Sequence, residues 1–382
     1  MILSKDDKLN ILNIGLMMMS CVVAFVLPFE TFLFVYAVLG PLHYLTEISW
    51  LHDRQYFTKG KYDYFILIFI AFLVLLIKLG NRYEWHLPLT AEFKNKIMFL
   101  GLVGSLLLIF VKNGLMKIFG LFFILLMSNV IFKADKRDNL AFFMAVLLPT
   151  LIHVYVFTGF FLLYGALKNR SKSGLLSLTV FIICPLLLYF LFQNTSFIPI
   201  SQYGIASYQA NGDGFFRNNI IYLQKFFDVD FIQAKDVSGN LLYYQDTLKP
   251  AIDTEKATGI IFHSKTGILL MRFIAFAYTY HYLNWFSKTE VIKWHQVPKM
   301  RFVAVIVIWI ISILLYAYNY SIGMRWLYFL SLCHVLLEFP LNMVSIIGIG
   351  KELWQIFRNG FSSTINTRQN YLLKKKKASQ LI

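Results

Sequence analysis

Two stretches of the chain, GPLHYLTE (residues 40–47) and LCHVLLEF (residues 332–339), each place a histidine four residues ahead of a glutamate inside an otherwise apolar run. On a helix that spacing brings both side chains to one face. A carboxylate one turn from an imidazole either ligates the same metal ion or accepts the ring N–H of a ligand histidine and so fixes its tautomer. Ionisable groups in hydrocarbon are costly unless they are neutral, paired or wet, so their presence points to a site. His43 and His334 are therefore read as metal ligands, with Glu47 and Glu338 as the catalytic carboxylates beside them.

The other histidines sort by position. His281, in TYHYLNWF, and His153 also fall inside apolar runs, whereas His86 and His263 lie outside such runs. His52 and His295 sit at the edges of theirs, where a mouth to the site would use them, and Asn284, three residues past His281, is placed to orient it. His43, His153, His281 and His334 fall at similar depth on four segments that run in the same direction. Imidazoles so placed converge in a bundle interior, as bundles build metal sites from facing helices. Neutral imidazole with carboxylate suits a transition-metal ion.

The elements that must position these groups follow from composition. Of 382 residues, 58% are hydrophobic and only 15% charged, and the mean hydropathy is +0.61, beyond what a soluble core with a wetted surface carries. Apolar runs long enough to cross a bilayer as helices occur at 9–27, 29–51, 63–80, 96–112, 115–132, 139–166, 174–193, 266–286, 302–319 and 324–349. The expected fold is thus all-α, a polytopic transmembrane bundle of about ten crossings. Gly40-Pro41 and Pro340 are expected to interrupt the second and tenth. Residues 1–193 hold seven crossings, 194–265 a larger extracytoplasmic loop or cap, 266–349 three more crossings, and 350–382 a basic cytoplasmic tail. Lysine and arginine collect in the tail and in the loops at 287–301 and 168–173, which sets both termini in the cytoplasm of a cell or inner membrane. Lys133, Lys136 and Arg137 run against that orientation.

Several chemistries are absent from the pattern. There is no GxSxG elbow, no Walker loop, and none of the dense histidine boxes of membrane desaturases. Short alternating strands of a transmembrane barrel are not seen. Cys21, Cys184 and Cys333 share no CxxC spacing, so neither a disulfide framework nor a zinc knuckle is indicated. The net charge of +16 is explained by basic loops facing anionic lipid and calls for no nucleic acid. Trp50, Trp285, Trp294 and Trp326 are read as interface anchors. Arg272 is expected to snorkel or to pair with an acid such as Glu30.

GPLHYLTE, TYHYLNWF and LCHVLLEF resemble motifs of the Brp/Blh-type integral membrane β-carotene 15,15'-dioxygenases, with His43, Glu47, His281 and His334 matching and His153 a further match. This chain has Leu42 and Tyr44 where the family pattern favours Pro and Gly. The resemblance implies a non-heme ferrous site in a cavity that admits a polyene and dioxygen. The reading that results is a metal-dependent, iron-dependent oxygenase acting on a carotenoid or other lipophilic substrate. A transporter or channel for a small ion, with the same His and Glu lining its path, is the alternative from another class, and a non-catalytic membrane subunit is a third.

Overall fold

The computed structural model describes residues 4–82, 85, 90–134, 139–190, 198–209, 215–243, 251–288, 292–293 and 296–361. Each of the ten expected segments is helical. They form α1 (Lys5–Val26), α2 (Pro28–His52), α3 (Tyr64–Arg82), α4 (Ala91–Phe110), α5 (Gly114–Ala134), α6 (Asn139–Lys168) and α7 (Lys172–Phe190). After three short helices, α8 (Gln202–Gln209), α9 (Phe215–Phe227) and α10 (Thr254–His263), come α11 (Lys265–Ser287), α12 (Lys299–Tyr318) and α13 (Tyr320–Asn359). Among the described residues there are no strands, only isolated bridges between Gln233 and Ile252 and between Lys235 and Leu241.

Eight of these helices are long and apolar enough to cross a membrane, and α10 with α11, bent by 65° at their junction, form a ninth candidate. Helix α3 is apolar over the shorter stretch Tyr64–Gly80. Large apolar side chains lie bare on the outside of the bundle, as on α5, where Leu115, Ile118, Phe119, Phe122 and Phe123 are exposed. A water-soluble domain would bury such a surface. The chain is a membrane protein.

Local chemistry explains the helix ends. Ser4, Thr90, Ser264 and Asn319 cap α1, α4, α11 and α13 by accepting from backbone N–H groups of the first turn, which satisfies donors the helix itself leaves open. Pro28 begins α2, where its missing N–H costs nothing. The interruptions expected at Gly40-Pro41 and Pro340 are not there: α2 and α13 run unbroken through both prolines. A proline removes one backbone hydrogen bond, and here Pro41 and Pro340 are themselves buried, so the packing around them holds the remaining turns.

Two packed clusters share the interior. One gathers α1, α2, α7 and α11 with the short helices α8 to α10; the other gathers α3, α4, α6 and the middle of α13. Helix α11 is the hub of the first and packs closely on α1 and α2. Helix α13 bridges them, touching α2 on one side and α3, α4 and α6 on the others.

A candidate metal centre at the seam

The four intramembrane histidines meet where the clusters join, each delivered by a different helix: His43 by α2, His153 by α6, His281 by α11 and His334 by α13. All are buried, as are Glu47 and Glu338. His43 Nε2 lies 3.1 Å from His281 Nε2 and 3.1 Å from Glu47 Oε2, while His153 Nε2 lies 3.0 Å from His334 Nε2. The ligand atoms of His43, His153 and His281 lie within 4.8 Å of one another, as do those of His43, Glu47 and His334.

Those separations fit a common ion. Donors about 2.1 Å from a metal stand about 3.0 Å apart as neighbours and about 4.2 Å apart as opposites in an octahedron. The His43, His153 and His281 set and the His43, Glu47 and His334 set, which share His43, each supply three donors that could hold an ion. Charge agrees, since neutral imidazoles and two buried carboxylates balance one divalent ion. So does the accounting of polar atoms: Glu47 Oε2, on the convergent side, is buried without a hydrogen-bond partner, a cost that a cation beside it removes.

The two carboxylates are not equivalent. Glu47 faces the Nε2 side of His43, where the other imidazoles converge. Glu338 instead lies 3.0 Å from His153 Nδ1, behind that ring. Thr158 occupies the matching place behind His281, its Oγ1 2.8 Å from Nδ1. Groups at Nδ1 turn Nε2, and its lone pair, toward the centre. Helix α6 makes this geometry through a π-helical segment, Phe143–Phe157, that contains both Pro149 and His153. Pro149 has no N–H to give the turn before it, and the widened turns re-aim His153 toward α13. Such segments recur at functional sites.

Aromatic side chains wall the centre. Tyr44 stacks on the His334 ring at 4.1 Å between centroids, and its hydroxyl pairs with that of Tyr282 at 3.0 Å. Gly40, one turn before Tyr44, makes room for that pair, because a Cβ there would come within 3.2 Å of the Tyr44 hydroxyl and 3.3 Å of the Tyr282 hydroxyl. Trp285 stands edge-on to His43 and donates through Nε1 to Thr46 Oγ1 at 3.0 Å. It thus stands beside the site. Tyr44, Thr46 and Thr158 carry no sequence signal of their role, since each meets its partner across helices and not along one.

Two expected supporting residues lie elsewhere. Asn284 turns toward α1, with Tyr280 donating to it and to Asn13, so Thr158 does the orienting expected of it. His52 is exposed and meets Asp53; nine residues past His43, it stands about 13 Å along the helix. His295 falls outside the described residues, with Trp294 and His86. Arg272 is buried, donates to the Phe25 carbonyl and lies over the Phe25 ring, while Glu30 accepts from the Ser201 N–H.

A cavity of about 850 Å³ opens onto the centre. His153, His281 and His334 line its inner end, with Tyr44, Tyr278 and Tyr282 beside them. No family model matches the chain, and neither a curated protein nor a solved structure matches it.

Proposed function

We propose that the protein is a membrane-embedded, iron-dependent oxygenase that acts with dioxygen on a lipophilic substrate such as a carotenoid or another polyene. The observation that carries this reading is the convergence of four buried imidazoles and Glu47, from four helices, at the end of a cavity large enough for one such molecule. The resemblance to the Brp/Blh-type oxygenases, at His43, Glu47, His281, His334 and His153, supports it independently.

His43, His153, His281, His334 and Glu47 would hold the ion. Bound there, iron would supply the activation of dioxygen. The remaining work belongs to the chain. Thr158 and Glu338 keep His281 and His153 in their ligating orientation. The buried rings of Tyr44 and Tyr282, which line the cavity, would exclude water around the reacting double bond and keep it against the centre. The basic loops serve contact with anionic lipid.

Elemental analysis of the detergent-purified protein, expressed with iron and without chelators, tests the reading. About one iron per chain is expected, lost in His43→Ala while the thermal transition of the protein persists. A chain free of transition metal would reject the oxygenase. Transporter sites are commonly built on discontinuous helices, whereas the helices that carry both HxxxE pairs are unbroken.

A further inference from the structure

The cavity wall carries polar groups, and they differ in whether the protein already answers them. Lys78, Lys94 and Arg217 line it, and each has a partner within the protein, so none of them requires an anion from outside. The Thr150 and Tyr222 hydroxyls pair at 2.5 Å, and those of Tyr44 and Tyr282 at 3.0 Å. Two neutral groups are left over. Tyr278 is buried in the wall, and among the described residues nothing donates to its hydroxyl or accepts from it. Asn219, also in the wall, is buried with its Oδ1 lacking any hydrogen-bond partner, although its Nδ2 donates to the Phe215 carbonyl. A polar atom buried in this way costs free energy until a partner reaches it.

The two groups belong to one region. The Tyr278 hydroxyl lies near those of Tyr36, Tyr44 and Tyr222, and Tyr222 follows Asn219 by three residues on α9. Tyr278 itself precedes His281 by three residues on α11, about 4.5 Å along the axis. A phenol both donates and accepts, whereas an amide oxygen only accepts. One hydroxyl on a ligand answers both: its oxygen accepts from Tyr278, and its proton goes to Asn219 Oδ1. A ketone or an ether lacks that proton, and a hydrocarbon lacks the oxygen as well. We propose that the cavity binds a neutral lipophilic alcohol, its hydroxyl held by Tyr278 and Asn219 and its apolar or polyene chain laid against the histidine centre. The proposal deepens the oxygenase reading by naming its substrate class, and it rests on that reading for the reaction that follows binding. A volume of about 850 Å³ is that of a site for one small ligand.

The test uses cis-parinaryl alcohol, a fluorescent polyene alcohol, beside its methyl ether, titrated into the full-length protein in phosphatidylcholine nanodiscs. Wild type is expected to bind the alcohol about ten times more tightly than the ether, the scale set by leaving a buried acceptor unpaired. Asn219→Leu removes the acceptor, so the two ligands should then bind alike. Tyr278→Phe keeps the ring but removes the donor, so alcohol and ether should weaken together, because both oxygens accept from it. Equal binding of alcohol and ether by wild type, which needs no variant to fold, would overturn the proposal. So would a preference that survives in folded Asn219→Leu, since it would trace to the bulk of the ether methyl, or an alcohol affinity unchanged in folded Tyr278→Phe. Tighter binding of cis-parinaric acid than of the alcohol would assign the cavity to an anion and overturn a neutral occupant. Iron content separates the two readings: an alcohol preference in a protein that never holds iron keeps this site and rejects the oxygenase. Stoichiometric iron without any alcohol preference does the reverse.

Discussion

Glu47 and Glu338 occupy the same place in their motifs but opposite sides of an imidazole, and that difference sets separate expectations for each. Glu47→Gln removes a donor from the convergent face, so iron affinity should fall by more than a hundredfold. Glu338→Gln leaves the donors in place and weakens only the hold on His153, for which about 10- to 100-fold is the usual scale. Competition with a calibrated chelator checks both, and equal losses would contradict the assigned positions. Outside the membrane, Asp53 at the end of α2 answers to pH. Burial pushes its carboxyl up, but Arg301 at 2.7 Å and His52 outweigh this and hold it below its ordinary value. A depressed folded pKa contributes stability that is present above the unfolded pKa and is lost as pH falls through the folded one. The Tm deficit of Asp53→Asn should therefore be seen near neutrality and should vanish once the pH lies below the ordinary carboxylate range.

At the scale of elements, what holds the peripheral helices is itself polar. Lys117 of α5 meets both carboxylate oxygens of Asp63, before α3, at 2.7 and 2.6 Å, and both residues are buried. Asp63 also accepts from the Gly60 N–H. Removing one partner strands the other charge, so Lys117→Ala should cost about 3–5 kcal/mol, while Lys117→Met with Asp63→Leu should recover most of it. Thermal unfolding in detergent reads both, and a neutral Lys117→Ala would show that the pair is wet. The bend between α10 and α11 depends on Gly267, whose absent Cβ would overlap the Ile261 carbonyl oxygen. The helices themselves were legible in the sequence because runs of apolar residues long enough to cross a bilayer permit little else. The continuity of α2 and α13 was not, since a proline marks a lost hydrogen bond without saying whether neighbours tolerate its loss.

For the whole molecule, the basic loops and the ten expected crossings predict that residues 194–265 lie outside. Cys21, Cys184 and Cys333 are all buried, so a single introduced thiol reports cleanly. Val237, fully exposed at the tip of that segment, should be labelled as Val237→Cys by an impermeant maleimide in intact cells. Labelling only after permeabilisation would reverse the orientation. The segment also takes part in the cavity, because α9 contributes Arg217, Asn219 and Tyr222 to its wall, an arrangement its near-balanced composition did not announce. By itself the sequence determined an all-α membrane bundle and the intramembrane groups, since hydrocarbon leaves few structures open and makes every ionisable residue conspicuous. Only the tertiary structure decided that the four histidines meet, that Glu338 and Thr158 stand behind two of them, and that Asn284 does not. Those relations are distances between helices remote in the chain, and they are set by packing across the seam, which no spacing along one helix encodes.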